Sequence, residues 1–314
     1  MKLYFAPLEG ICTPTFRLSH ASLFEGCDGY YAPFITPSEN EKITNKTLRT
    51  VLPENNPGIK LTVQVLANNS NAFLNFADKV RKIGYDEINI NMGCPSATVV
   101  GKGRGSGFLK YPEKIDKFLY EIFSGTDMKI SVKTRIGFYS AEEFEPLMRV
   151  YNKYPLSLLI VHPRTRQQFY GGKPDMTAFE TAYEMSENRL CYNGDICTSE
   201  DFEYIKERFP NIDSVMIGRG AVKNPAVFRE IKGGAPLCCE DILRFTVALI
   251  ENYYAIYKCD IFTVQKLKEI WMYVMQNCPD EKKLLKTIKK CEKIADFEAA
   301  AQRLPEITLH RTLI

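Results

Sequence analysis

From its start to about residue 230 the chain alternates between short runs of β-branched and aromatic residues and longer amphipathic stretches. The short runs predict strands over Lys2–Ala6, Tyr30–Phe34, Lys60–Leu66, Glu87–Asn91, Lys129–Lys133, Leu158–His162, Arg189–Asn193 and Ser214–Ile217. Several are almost continuously apolar, as in the Leu-Leu-Ile-Val run ahead of His162, which suits parallel strands covered on both faces. The longer stretches read as helices, for example Asn71–Ile83 and Ser199–Arg208. In the second of these, Ser199 is the expected N-cap, and Phe202 and Ile205 share an apolar stripe. Eight strand-and-helix units in this length predict an α/β fold of the (β/α)8 TIM-barrel class. After Gly233, Gly234 and Pro236 the pattern changes. Residues 240–310 carry no strand signal and read as helices broken at Pro279 and Pro305. The expected organisation is a catalytic barrel over 1–235 and a small all-helical C-terminal domain over 236–314.

Composition adds mostly exclusions. With 45% hydrophobic and 25% charged residues, the chain has the make-up of an ordinary globular protein. No apolar run approaches membrane-spanning length, and no secretion-signal layout opens the chain, so a cytoplasmic location without membrane contact is expected. The ten cysteines are irregularly spaced and contain no CxxC pair, which reads as reduced thiols. Three histidines (His20, His162 and His310) are too few for a His-rich metal centre, so no metal is expected. The net charge of +3 permits nucleic-acid binding without arguing for it, so any electrostatic footprint must be local.

A TIM barrel builds its active site at the carboxyl ends of its strands, so the residues that follow each predicted strand carry the functional information. Strand one ends in Ala6-Pro7-Leu8-Glu9-Gly10, strand three carries Gln64, and strand four runs through Asn91 to Cys94. Lys133 and Arg135 close strand five, and His162 with Arg164 and Thr165 closes strand six. The last two strands end in Asn193-Gly194-Asp195 and Gly218-Arg219-Gly220. Polar and special residues thus gather at one rim. Each glycine turn taken alone reads as an ordinary left-handed turn. Together, after strands seven and eight, they favour a phosphate held by backbone N–H groups, with Arg219 as a charged addition.

Lys133 is expected to point into the barrel mouth, where an ammonium needs a negative partner; the bland alternative is a side chain snorkelling to solvent. An anionic reduced flavin is one such partner. His162 beside it reads as functional more readily than as a satisfied core histidine. Cys94 lies in a rim loop ahead of Pro95, a better position for acid or nucleophile chemistry than for inert packing. The glycine run from Gly101 to Gly107 lacks the P-loop signature and fits a mobile lid.

Eight segments in order (APLEG, VQVL, NMGCPS, the glycine run ending GSGFL, SVKTRIG, VHPRT with QQFYGG, YNGDI and MIGRGAVKNP) resemble the bacterial tRNA-dihydrouridine synthase family along nearly the full chain. That resemblance implies FMN at the barrel mouth and reduction of the C5=C6 bond of specific tRNA uridines. NADPH or NADH would be the reductant, with hydride passing from flavin N5 to uracil C6 and a proton from Cys94 to C5. Pro7, Leu8 and Glu9 would line the flavin, Gln64 and Lys133 would bond its ring, and His162 would approach its pyrimidine edge. Asn193, Gly194, Asp195, Gly218 and Arg219 would hold the ribityl chain and phosphate. Asn91, Arg135 and Tyr170 fall where the family contacts the extruded uracil. The chain departs from the family at Pro163, where Gly is usual, and in the YYAPFITPSE segment, which lacks the usual Thr-Glu pair. A monomer acting on tRNA and a nicotinamide dinucleotide is the expected assembly.

Lys282, Lys286, Lys289 and Lys293 follow helical spacing, flanked by Lys283 and Lys290, and predict one basic face opposite Leu284, Leu285, Ile288 and Cys291. This is either a solvated surface or a phosphate-contacting one. Two other readings compete: an FMN barrel reducing a free pyrimidine or other small metabolite, and an RNA-binding or RNA-folding module with secondary activity.

Overall fold

The computed structural model describes residues 1–37, 44 and 48–304. Ser38 and Glu39 of the second-strand segment, Pro305, His310 and the end of the predicted helical domain lie outside the described residues. Eight parallel strands close a barrel in chain order: β1 (Lys2–Phe5), β2 (Gly29–Tyr31), β3 (Leu61–Val65), β4 (Glu87–Met92), β5 (Lys129–Gly137), β6 (Leu159–Thr165), β7 (Leu190–Asn193) and β8 (Ser214–Ile217). The outer helices are α1 (Pro14–Leu23), α2 (Ser70–Lys82), α3 (Pro112–Gly125), α4 (Phe144–Tyr151), α5 (Met176–Met185) and α6 (Ser199–Arg208), with short α7 (Arg219–Lys223) and α8 (Val227–Ile231) after β8. Every expected strand is present. β5 and β6 run past the ends of their apolar runs because Arg135 pairs with His162 and Gly137 with Thr165. β2 stops short of the expected Phe34, just ahead of Pro33, which has no N–H for a ladder.

Strand alternation divides the barrel wall. Val63, Val65, Ile88, Ile90, Ile130 and Val132 face the helices in the main core, and the intervening residues turn to the barrel axis. On β6, β7 and β8 the inward residues form a small apolar cluster below the mouth: Leu158, just ahead of β6, then Ile160, Cys191 and Met216, joined by Ala6 and Tyr31, with Ser214 beneath them and His162 and Asn193 above at the mouth. On β3 to β5 they are polar and bonded to one another. Gln64 donates to Asn89 at 2.8 Å, Asn89 to Ser131 at 3.0 Å and Asn91 back to Gln64 at 2.9 Å. The apolar run ahead of His162 is covered on both faces as expected, with Leu159 and Val161 in the main core and Leu158 and Ile160 at the axis.

Two local expectations need correction. Thr198, not Ser199, caps α6: its hydroxyl accepts from the Asp201 N–H and the Asp201 carboxylate accepts from the Thr198 N–H, a reciprocal box that Ser199 cannot make from inside the helix. The glycine run is packed rather than lid-like. Residues Gly105–Lys110 form a 3-10 turn in which Gly105 to Leu109 are buried, and a Cβ on Gly105 would sit 2.8 Å from the Cys94 carbonyl oxygen.

Beyond residue 238 the described chain is helical: α9 (Cys239–Tyr257), α10 (Asp260–Val274), α11 (Lys282–Lys290) and α12 (Ile294–Ala301). The chain's single tryptophan, Trp271, is buried at their centre, donating to Thr246 and meeting Phe297 edge-on. The helices are bonded to the barrel, Thr13 to Tyr253 at 2.8 Å and Asn277 to the Lys223 carbonyl at 2.8 Å. In α11, Leu284 and Ile288 are buried while Lys282, Lys283, Lys286, Lys289 and Lys290 are exposed, as the spacing predicts. Lys293 is exposed too, but it is the N-cap of α12 and does not continue that face, because the helix ends at Lys290.

Candidate active site

A cavity of about 810 Å³ opens at the carboxyl ends of the strands. Its walls bring together Pro7, Leu8, Glu9, Asn91, Cys94, Lys133, Arg135, His162, Tyr170, Asn193, Gly194, Asp195, Gly218 and Arg219. Of the residues selected from sequence only Gln64 is not on the wall. It is fully buried beneath it, with both amide atoms engaged by Asn89 and Asn91, and reaches the cavity through Asn91.

Asn91 is the last inward residue of β4, and both polar atoms of its amide are engaged. Nδ2 donates to Gln64, and Oδ1 accepts from the N–H groups of Gly93 and Cys94 at 3.0 and 2.9 Å. Asn91 thus shapes the turn that presents Cys94. The turn is held from its other side by Ser106, whose N–H and hydroxyl both donate to the Cys94 carbonyl. Arg135 completes the frame, donating to the Gly93 carbonyl and the Thr165 carbonyl, both at 2.8 Å, and so ties the β4 loop to the β6 loop. Burial is the largest influence on the Cys94 thiol and raises its pKa. The group is therefore a protonated thiol at neutral pH, suited to giving a proton rather than to attacking as a thiolate.

Lys133 has no carboxylate partner among the described residues. Burial, with Arg135 adding repulsion, brings its ammonium down to about 8. His162 on the neighbouring strand is held neutral, first by burial and then by Arg135, Lys133, Arg164 and Arg219. Asp195 is the carboxylate bonded to this group among the described residues. Asp195 accepts from Arg164 and, at 2.7 Å, from Arg219. Tyr170 lies over the mouth with the Arg219 guanidinium 4.4 Å and that of Arg135 5.4 Å from its ring centre.

The turns after β7 and β8 require glycine for space. A Cβ on Gly194 would meet the Tyr192 hydroxyl at 2.1 Å, and one on Gly220 would meet the Ile196 carbonyl oxygen at 1.8 Å. Packing within the wall thus demands glycine here, and Gly194, Gly218 and Gly220 leave bare backbone along the cavity. The excess cation at Lys133, the room beside it and these bare turns fit an anionic, phosphate-bearing cofactor such as FMN. No group of His, Cys, Asp or Glu side chains among the described residues could hold a metal, and no described helix is long and apolar enough to cross a membrane.

Sequence reasoning missed part of the wall. Met272 and Tyr273 from α10, with Gln276 just beyond it, close the cavity opposite the barrel, and Pro33, Phe34 and Lys223 also line it. No motif marks them, because only the docking of the helical segment brings them there. Arg164, which the sequence marks only as part of the end of strand six, is central. It is fully buried and bonded to His162, Asp195 and the carbonyls of Gly171 and Gly172.

A family model described as Dihydrouridine synthase (Dus) matches residues 4–309. Curated relatives include tRNA-dihydrouridine synthase B of Vibrio vulnificus, 28% identical over 236 residues that cover 73% of this chain and 70% of its own. A probable tRNA-dihydrouridine synthase of Staphylococcus aureus is 28% identical over 228 residues, covering 70% and 68%. Among solved structures, the old yellow enzyme from Trypanosoma cruzi is similar with a TM-score of 0.53 at 10% identity, covering 75% of this chain and 89% of that one. A variant of NCR from Zymomonas mobilis gives a TM-score of 0.54 at 12% identity, covering 75% and 88%. These two likenesses speak to the barrel alone. The match over almost the whole chain, on a barrel whose rim gathers a framed thiol, a buried lysine and two bare glycine turns, places the chain in the dihydrouridine synthase family, the oxidoreductases that form dihydrouridine in tRNA.

Proposed function

We propose that this chain reduces uridine in tRNA with FMN held in the barrel-mouth cavity, NADPH or NADH serving as reductant and Cys94 as proton donor. The observation that carries this reading is the meeting of Lys133, a buried cation with no carboxylate partner among the described residues, and Cys94, a protonated thiol on a framed turn, on the wall of one cavity. When bound, FMN supplies the hydride that saturates the uracil ring. Lys133 offers charge to the anionic face of the cofactor, and neutral His162 offers a hydrogen bond. Gly194, Gly218 and Arg219 would hold the cofactor's phosphate. Asn91 and Arg135 hold the Cys94 thiol at the rim, from which its proton is given to C5 as the ring gains hydride at C6. Arg135 and Tyr170 border the space for the extruded base, where guanidinium charge stabilises the oxygen that becomes electron-rich. Met272, Tyr273 and Gln276 keep water from one side. The nicotinamide enters the same mouth, since no separate dinucleotide fingerprint exists in the sequence.

In this reading residues 1–235 are the catalytic barrel, and 236–314 complete the mouth and offer α11 to the RNA backbone, with the protein working as a monomer in the cytoplasm. The test is direct. Purified protein is denatured and its chromophore identified, then holoenzyme, NADPH and unmodified tRNA are combined and dihydrouridine is mapped. FMN and new dihydrouridine are expected. FAD, or NADPH consumption that leaves tRNA unmodified while a free pyrimidine is reduced, overturns the reading.

A further inference from the structure

A strip of alternating aromatic rings and cations leaves the cavity mouth and crosses the barrel rim over the ends of β5 and β6. Tyr170, between Arg135 and Arg219, is its inner end. Next to it Phe169 is exposed, with the Arg166 guanidinium 5.0 Å from its ring centre. Arg166 also lies 5.4 Å from Phe138, and Lys110 caps that same ring at 4.0 Å and Tyr139 at 5.5 Å. Tyr139 is 57% exposed.

Two features set this strip apart from ordinary surface. First, Phe169 has φ +51, a left-handed backbone that a bulky aromatic residue rarely adopts. The conformation is held by local bonds: the Thr165 N–H donates to the Gln168 side chain at 2.7 Å, the Phe169 N–H to the Arg166 carbonyl at 3.1 Å, and Arg164 grips the Gly171 and Gly172 carbonyls beneath. The strain is thus maintained by surrounding structure, and its effect is to show two consecutive rings to solvent. Second, Lys110 and Arg166 have no carboxylate within ion-pair distance among the described residues. Glu143, the acid close by, is instead occupied by the N–H groups of Phe138 and Tyr139. Exposed rings with uncompensated cations between them match a single-stranded nucleic acid, whose bases stack while its phosphates meet the cations. A protein partner would more commonly meet a fully apolar centre with charge at the edge.

We propose that this strip is a stacking platform for the unpaired nucleotides that flank the target uridine, with Phe169 and Tyr139 as the stacking rings and Lys110 and Arg166 as the phosphate contacts. The proposal rests on the reading of the cavity as the uridine-reducing site, because the strip begins where the extruded base would enter. It names a different part of the substrate, the neighbours of that base. Each base that stacks on one ring adds roughly five- to a hundredfold to affinity.

The test uses FMN-loaded enzyme and a single-stranded RNA bearing one uridine with 2-aminopurine beside it. Wild type should quench the 2-aminopurine on binding. Phe169→Ala and, on a separate element, Tyr139→Ala should each weaken binding by about five- to a hundredfold and lose part of the quenching, while FMN content and flavin reduction by NADPH stay at wild-type values. Lys110→Gln should weaken binding and lower its salt dependence, leaving quenching at saturation intact. Wild-type enzyme that forms dihydrouridine in tRNA but quenches nothing, or Phe169→Ala and Tyr139→Ala variants that both bind as wild type does, overturns the platform and leaves the reaction standing. An enzyme that forms no dihydrouridine overturns the platform together with the reading beneath it.

Discussion

Arg164 donates from Nη1 to Nε2 of His162 at 3.1 Å. A guanidinium has only donors, so the contact makes Nε2 an acceptor and leaves the imidazole proton on Nδ1. The same guanidinium binds Asp195 and the Gly171 and Gly172 carbonyls. One buried side chain therefore fixes a tautomer, an ion pair and the turn that carries Phe169 and Tyr170. Arg164→Met should destabilise the fold by about 3–5 kcal/mol in urea unfolding, since it leaves Asp195 short of a partner. Arg164→Lys should recover only part of this, because an ammonium cannot reach acceptors spread across a planar fork. A lysine variant as stable as wild type would contradict the hub.

Cys94→Ala should keep its FMN and its reduction by NADPH yet lose about 10²–10⁴-fold in single-turnover rate on tRNA. Because burial raises the thiol pKa, the rate in wild type should hold through neutral pH and fall only as alkali removes the proton. Rapid alkylation of free enzyme by iodoacetamide at pH 7 would show a thiolate and remove Cys94 from the acid role.

Lys133 sits at about 8 when its cavity holds no anion. Above that pH the side chain must take up a proton to pair with an anionic cofactor, so FMN affinity should fall as pH rises from 7 to 9. The fall should reach at most about tenfold per unit beyond the shifted value. Lys133→Met should bind weakly at every pH and show no such slope. Flavin fluorescence titrations across that range measure both, and a parallel slope in the variant would point to another group.

His20 tests the fold away from the site. Its Nε2 lies 2.9 Å from the Pro225 carbonyl, which can only accept, so Nδ1 accepts from the Tyr30 hydroxyl at 2.7 Å. Burial lowers its pKa to about 4. The unfolded chain takes up a proton near pH 6.5 that the folded chain refuses, so this stability is complete above that pH and is lost as pH falls toward 4. The loss is on the order of 3 kcal/mol. His162 acts with the same sign. Urea unfolding of wild type and His20→Gln from pH 7 to 4 should converge on acidification; curves that stay parallel would mean His20 takes up no extra proton on unfolding.

The exposed lysines of α11 separate a docking face from a solvated one. Lys282, Lys286 and Lys289 lie on one side of the helix. Their replacement together by Gln should weaken tRNA binding and lower the slope of log affinity against log salt by up to about three, with FMN content unchanged. An unchanged slope would assign the face to solvent and leave the barrel rim as the principal contact.

The strand count, the barrel class and nearly all the rim residues were legible in sequence because strand ends are local. An apolar run stops where the chain leaves the wall, and the next few residues must form the mouth. Gly194 and Gly220 were readable as turns for the same reason. Tertiary structure decided what depends on segments distant in the chain. Arg135 joins Gly93 to Thr165, Gln64 is sealed under Asn91, Arg164 reaches back to His162 and across to Asp195, and Met272 and Tyr273 arrive at the mouth only because α10 packs there. The glycine run shows the limit most plainly. Its composition read as freedom to move, whereas Gly105 and Gly107 are required because the Cys94 carbonyl and the Val100 backbone pack too close for a side chain. Local propensity is set by each residue and its neighbours along the chain; contact is set by which other segment fills the space beside it.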